Sequence, residues 1–190
     1  MTDGTGNFTT RRTLLIAAGT LILFAGLLRL EGRILWCKCG LGFWSAAWTE
    51  STSQHFLDPY SLSHVLHGVI FYWLLRPFAK QISLPWRLIV ALGAEIAWEL
   101  LENSPIIIER YRNDTAALDY VGDSILNSIG DTLSTVAGFI FAARFSWQAS
   151  VVLFVAFELW GIYLARDNLT LNVVMLLYPF DAIREWQLAR

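Results

Sequence analysis

The chain has 190 residues, 55% hydrophobic and 16% charged, with a net charge of -2. A soluble domain carries about 45–50% apolar and about 25% charged residues, and a chain with a mean hydropathy of +0.48 holds more apolar surface than an interior of this size covers. Disorder is excluded by the aromatic content and low charge, nucleic-acid binding by the lack of a basic run, and a disulfide framework by there being only two cysteines.

What remains is an all-α, polytopic transmembrane bundle forming one integral membrane domain. Residues 13–30 are an apolar run long enough for a tilted helix to cross about 30 Å of hydrocarbon. Arg11 and Arg12 precede it, and no small-residue cleavage site follows, so we read a retained first span and not a signal peptide. Further spans are predicted over residues 62–79, 86–103, 122–143 and 147–165, making about five. Residues 171–180 are apolar but too short to span, and predict a re-entrant or interfacial segment.

The positive-inside rule orients this layout. Arg11, Arg12, Arg76, Lys80, Arg87 and Arg144 fall on one side, opposed by Asp3 alone, while the other side mixes both signs. The N-terminus is therefore expected in the cytoplasm of a bacterium, with the lipid bilayer as the chain's partner and protein partners undefined. Trp36, Trp44, Trp86 and Trp147 fall near span ends, where indole rings settle at the headgroups.

Ionisable residues inside spans are costly and point to function. In the third span Glu95, Glu99 and Glu102 are spaced i, i+4, i+7, which puts three carboxyls on one helix face. In the fourth, Asp123, Asn127 and Asp131 repeat the four-residue step. In the second, His64 and His67 are one turn apart, and Glu158 stands alone in the fifth. Three spans thus offer polar faces at one level, open to the outer side. His55 and Asp58 are expected at the mouth, with Glu109, Arg110, Tyr111 and Arg112 folding over it from the connection between the third and fourth spans.

Carboxyls stacked at i, i+4 must be protonated, cation-bound or paired with Arg110 or Arg112. Imidazole with carboxylate suits a divalent zinc, iron or manganese ion, and His64, His67, Glu99 and Asp123 are the candidate ligands. Glu99, His67 and Asp123 are the candidate catalytic groups, with Glu99 or Glu95 as general base or proton carrier. Against this stands a plainer reading, in which Asn127, Ser124 and Ser128 join helices by hydrogen bonds. Cys37 and Cys39 lie just outside the first span. As a pair they close only a small ring, and both a metal or redox role and inert thiols fit them.

Several longer motifs occur in order: Cys37-Lys38-Cys39-Gly40, Ser53-Gln54-His55, Ser63-His64-Val65-Leu66-His67-Gly68, Trp98-Glu99-Leu100-Leu101-Glu102-Asn103-Ser104-Pro105, Arg110-Tyr111-Arg112, Asp119-Tyr120-Val121-Gly122-Asp123-Ser124 and Arg166-Asp167-Asn168-Leu169-Thr170-Leu171-Asn172. In these the chain resembles an uncharacterised family of alphaproteobacterial multi-pass membrane proteins. The resemblance covers nearly everything after the first span and implies an inner-membrane protein without a known reaction. A weaker likeness is to VanZ-like membrane proteins, whose ordered histidine, glutamate, arginine and Asp-x-x-x-Asn-x-x-Gly elements match His64 or His67, Glu99, Arg110 or Arg112, and Asp123 with Asn127 and Gly130. That likeness implies a cell-envelope role.

Three functions follow as expectations. The first is an outward-facing pocket that binds or acts on an envelope or lipid headgroup with a divalent metal. The second is a structural or assembly role, with the polar residues only joining helices. The third, a small proton-coupled transporter, lacks the inverted repeats and broken span pairs that such proteins show.

Overall fold

A computed structural model describes residues 11–189. Asp3 and the side chains of Arg11 and Arg12, which help to orient the first span, lie outside the described residues. Among those described, the chain forms eight α-helices and no strand: α1 (Arg11–Leu30), α2 (Ser61–Leu75), α3 (Leu84–Glu102), α4 (Pro105–Asp114), α5 (Ile125–Arg144), α6 (Trp147–Ala165), α7 (Leu169–Leu177) and α8 (Asp181–Leu188).

Local chemistry sets the helix starts. Ser124 is extended and its side chain accepts from the Asn127 N–H, opening α5; Ser146 does the same for α6 through Ala149, and Asn168 for α7 through Leu171. Ser83 and Ser104 are also extended, each followed by a proline in the first turn, where a missing N–H costs nothing. Pro77 has the opposite effect at the end of α2. The chain tightens into a short 3₁₀ turn over Arg76–Phe78, because proline cannot continue the α-helical ladder.

Helix α5 is central and packs most extensively on α2. The two backbones approach closely at Gly68, where a Cβ would run into the Thr135 carbonyl and the Phe139 nitrogen; Gly138 faces the Val65 carbonyl in the same way. Val69, Tyr72, Ala91 and Phe139 form one apolar core between α2, α3 and α5. Phe24, Leu28, Leu92 and Ile125 form a second, which fixes α1 against α3 and α5. Residues 31–60 carry no regular helix. They wrap one end of the bundle and pair briefly at Trp44 and Leu57.

The helices and side chains differ in several places from the layout expected. Among the described residues two of the expected spans, α5 and α6, are helices long and apolar enough to cross a membrane, and Leu15–Leu30 within α1 is a shorter apolar stretch. Helix α2 has only 15 residues, and α3 carries Arg87 and three glutamates in its 19. The predicted fourth span begins at residue 122, but α5 begins at Ile125. Asp123 therefore precedes the helix and does not share the helical face of Asn127 and Asp131. The connection holding Arg110 and Arg112 is itself a helix, α4, and residues 171–180 divide between α7 and the chain leading into α8. Arg87 is not a surface charge: it is 2% exposed, with its guanidinium 5.9 Å from the Tyr72 ring centre. Helix α6 keeps its apolar surface outward, with Val151, Val152, Leu159 and Tyr163 all exposed.

Candidate functional site

The buried faces of α2, α3 and α5 meet at one end of the bundle. His64 and His67 are one helical turn apart on α2, with ring centres 5.0 Å apart. Glu95 on α3 lies between them and serves both. Its Oε1 is 2.5 Å from His64 Nδ1 and its Oε2 3.0 Å from His67 Nδ1. A carboxylate accepts only, so each ring donates its Nδ1–H to Glu95 and turns its Nε2 away from that carboxylate. This is how carboxylates orient metal-binding imidazoles and general bases.

One turn further along α3, Glu99 Oε1 is 3.4 Å from His64 Nδ1. Glu95 and Glu99 are both 0% exposed. Neither Glu99 oxygen has a hydrogen-bond partner among the described residues, a costly state for a buried carboxyl. From α5, Asp131 Oδ2 is 3.9 Å from His64 Nε2, while its Oδ1 accepts from the Ser61 hydroxyl at 2.5 Å. Thr135 fixes the α2 backbone by donating to the His64 carbonyl at 2.8 Å. Two donor sets, His64/His67/Glu95 and His64/Glu99/Glu102, each bring their ligand atoms within 4.8 Å of one another.

Above this cluster opens a cavity of about 690 Å³. His64, His67 and Asp131 reach its wall, with Glu102, Asp123, Asp167 and the aromatic rings of Trp48, Trp98, Tyr111 and Tyr120. No lysine or arginine lines it. Trp48 and Ser53, at the rim, hold left-handed φ angles of 62° and 60°, conformations that cost energy and recur at binding sites. Tyr111 sits 2.9 Å from Glu102 Oε1 and 3.0 Å from Asn172 Oδ1. Burial raises the Tyr111 and Tyr120 phenols well above their ordinary range, so both keep their protons.

The remaining predicted residues lie elsewhere. Asp123 is held by Asn103 and by the Tyr120 hydroxyl at 3.0 Å and belongs to neither donor set, so it is not placed among the ligands with His64, His67 and Glu99. Glu95 occupies the position beside the imidazoles. Asn127 donates to the His55 carbonyl at 2.9 Å, tying α5 to the wrapping segment. Asp58 is fully buried but does not line the cavity. Its carboxylate accepts from the backbone of Ser53, Tyr60 and Ser61, which fastens the start of α2; burial raises its pKa against those three bonds. Arg110 pairs with Asp114 at 2.5 Å and donates to the Leu176 carbonyl, and Arg112 donates to the Tyr120 carbonyl. Neither arginine neutralises the glutamates. His55 turns away, its Nδ1 3.1 Å from the Trp44 carbonyl. Glu158 accepts from the Thr170 N–H at 3.3 Å.

Tyr111, expected over the mouth, does line the cavity; sequence reasoning missed Asn103, Tyr120, Asp167 and Asn172. Asn103 continues the four-residue step from Glu95 and Glu99, and that spacing was the signal available for it. The others come from segments whose folding back no local pattern announces.

Fold and site together define an all-helical protein with a buried imidazole–carboxylate cluster under an acidic, aromatic cavity. A family model described as a protein of unknown function (DUF2585) matches residues 28–189. The chain is 46% identical to a UPF0314 protein of Brucella anthropi, across 91% of this chain and 89% of that one. It is 47% identical to a UPF0314 protein of Sphingopyxis alaskensis, across 91% and 93%, and 49% identical to one of Agrobacterium fabrum, across 90% and 88%. No solved structure matches. The chain belongs to this uncharacterised alphaproteobacterial family.

Proposed function

We propose that the protein is a multi-pass inner-membrane protein, with its N-terminus in the cytoplasm, whose cavity faces outward and takes the polar headgroup of an envelope lipid together with a divalent cation. One observation carries this reading: two histidines, three glutamates and Asp131 converge from three helices beneath a cavity with no lysine or arginine in its wall. An anionic headgroup entering such a wall needs a cation between itself and the carboxylates. The cluster has the donor chemistry for one, with imidazoles backed by Glu95 and the carboxyls of Glu99 and Glu102 beside them. When bound, the ion would supply positive charge for a phosphate or carbonyl oxygen. His67 would orient against the headgroup or take a proton at Nε2, and Trp48 and Trp98 would pack on its apolar parts.

Membrane embedding is supported by the two long apolar helices and by the outward apolar face of α6. Trp36, Trp44, Trp86 and Trp147 are all exposed, as interface anchors would be. The arginine element of the VanZ-like likeness lies away from the cluster, so that likeness lends the cell-envelope setting alone.

The test is metal analysis of protein purified in detergent, beside Glu99→Gln and His64→Ala. The reading expects a bound divalent metal in the parent and its loss from both variants. A parent without metal that gains none when supplied with zinc or manganese would overturn it. Reporter fusions at Lys80 and Asp114 test the topology: the first is expected inside and the second outside.

A further inference from the structure

Cys37, Cys39 and His55 share no residue with the cavity, yet they present two sulfurs and an imidazole nitrogen within 4.8 Å of one another. We propose that, with the thiols reduced, these three side chains bind a thiophilic d¹⁰ cation, Zn²⁺ or Cu⁺, and that the Cys37–Cys39 disulfide is the closed form of the same site.

The backbone builds the site. Gly40 N–H donates to the Cys37 carbonyl at 3.1 Å, folding residues 37–40 into a turn that brings both sulfurs to one side. The Cys39 N–H points at Cys37 Sγ, 3.0 Å away; a hydrogen bond to an ionised acceptor is stronger than to a neutral one, so this N–H favours the thiolate. His55 arrives from a separate segment. Its Nδ1 faces the Trp44 carbonyl at 3.1 Å. A carbonyl only accepts, so Nδ1 carries the proton and Nε2 presents its lone pair to Cys39 Sγ, 3.6 Å away. An imidazole backed by a backbone carbonyl is the arrangement of metal-ligating histidines. The ring lies against Gly42, where a Cβ would strike it. The Phe56 N–H to Gly42 carbonyl bond (3.1 Å) and the Leu57 N–H to Phe43 carbonyl bond (2.9 Å) brace the two segments.

Donor type selects the ion. Two thiolates and one imidazole are soft to borderline ligands, suited to Zn²⁺ or Cu⁺ and poorly suited to Mg²⁺ or Ca²⁺. Three protein ligands leave a fourth position open. Cys37 is buried while Cys39 is exposed, so the ion enters from the surface side.

The structure holds the sulfurs joined as a disulfide, which removes both thiolates as ligands. Binding Zn²⁺ to the dithiol displaces two thiol protons. Closure by exchange with an incoming low-molecular-weight or protein disulfide forms the Cys37–Cys39 bond and breaks the incoming S–S bond. The two electrons pass to the incoming sulfurs, which leave as two thiolates and take two protons from solvent, equal to those displaced when the ion bound. The oxidised chain therefore releases the ion.

The test uses the full chain in detergent. After phosphine reduction, Co²⁺ is titrated and thiolate-to-cobalt charge-transfer absorption is followed; that band reports sulfur ligation only, so the His64 cluster does not contribute. About one cobalt per chain is expected, displaced by Zn²⁺ in one arm; in a second arm the reduced chain competes with a chromogenic chelator for Cu⁺. Cys37→Ser, Cys39→Ser and His55→Ala should each weaken binding by about tenfold or more. Oxidation to the disulfide should abolish it. Should a cysteine variant fail to fold, alkylation of Cys39 in the folded, reduced parent replaces it and should block the band. Absence of the band while two free thiols are counted, or an unchanged band in His55→Ala, would overturn the proposal.

Discussion

Asn103 and Asp123 clasp each other through two hydrogen bonds. Asn103 Nδ2 donates to Asp123 Oδ2 at 3.0 Å, and the Asp123 N–H donates to Asn103 Oδ1 at 2.7 Å. Both side chains are buried. The pair fastens the C-terminal end of α3 to the extended residues before α5, and so fixes one wall of the cavity relative to the glutamates. Asn103→Ala strands a buried N–H and a carboxylate oxygen together. We expect a loss of about 2–4 kcal/mol, read as a lowered thermal midpoint in detergent at fixed scan rate. A midpoint within about 1 °C of the parent would show that the clasp holds nothing.

Close approach of α2 and α5 gives a second prediction. Gly68→Ala and Gly138→Ala each place a Cβ against backbone of the opposite helix. Backbone cannot move aside as a flexible side chain can, so each should destabilise by about 1–3 kcal/mol and displace His64 relative to Asp131. Gly93 on α3 has nothing within 4 Å of its would-be Cβ. Gly93→Ala should be neutral or stabilising by up to about 1 kcal/mol. Equal effects at all three sites would show that helix propensity, and not interhelical distance, decides the outcome.

Glu95 and Glu99 occupy one face of α3 but should respond differently to substitution. Glu95 accepts from both imidazoles, so Glu95→Gln puts an amide donor against one ring and frees both to turn. Stability and bound metal should fall together. Glu99 has no hydrogen bond among the described residues, only the 3.4 Å approach to His64 Nδ1. Glu99→Gln should lower metal content while leaving the thermal midpoint near the parent's. Measuring both quantities on both variants separates an orienting carboxylate from a ligand, and an unfolding response at Glu99 as large as at Glu95 would argue for purely structural roles.

A pH dependence is expected from Asp167, which lines the cavity between α6 and α7. Burial pushes its carboxyl up from 3.8 to about 7, against the Asn168 N–H and side-chain bonds from Gln187 and Asn172 that favour its charge, and with Glu158 adding repulsion. The unfolded chain ionises first, so the contribution is full below about pH 4, is lost as pH rises to about 7, and is level above that. Asp167→Asn keeps the acceptor for Asn168 and cannot ionise. The midpoint difference in favour of the variant should therefore widen from pH 4 to 7. A difference constant across that window would place the Asp167 carboxyl near its ordinary value.

Much of the candidate cluster was legible because helical periodicity is a strong, local rule. The i, i+4, i+7 spacing of Glu95, Glu99 and Glu102 and the one-turn spacing of His64 and His67 already assign each set to a single face. The same rule misled at Asp123. Its four-residue step to Asn127 fits a helix, but Ser124 uses its hydroxyl to cap Asn127 and ends the helix before Asp123 is reached. Arg110 and Arg112 were expected near the carboxyls on charge alone. Helix α4 turns them to Asp114, Leu176 and Tyr120 instead.

By itself the sequence determined the all-helical class, the family, and which residues share a turn of helix, since each follows from composition or from contacts between near neighbours. Only the tertiary structure decided which imidazole meets which carboxylate. It also decided that Asn103 holds Asp123 and that the chain ahead of α2 brings His55 to Cys39. These pairings join residues far apart in sequence. They are set by how closely α2 and α5 approach at Gly68 and by how the irregular segments pack across the bundle's end, and neither distance is written in any local pattern.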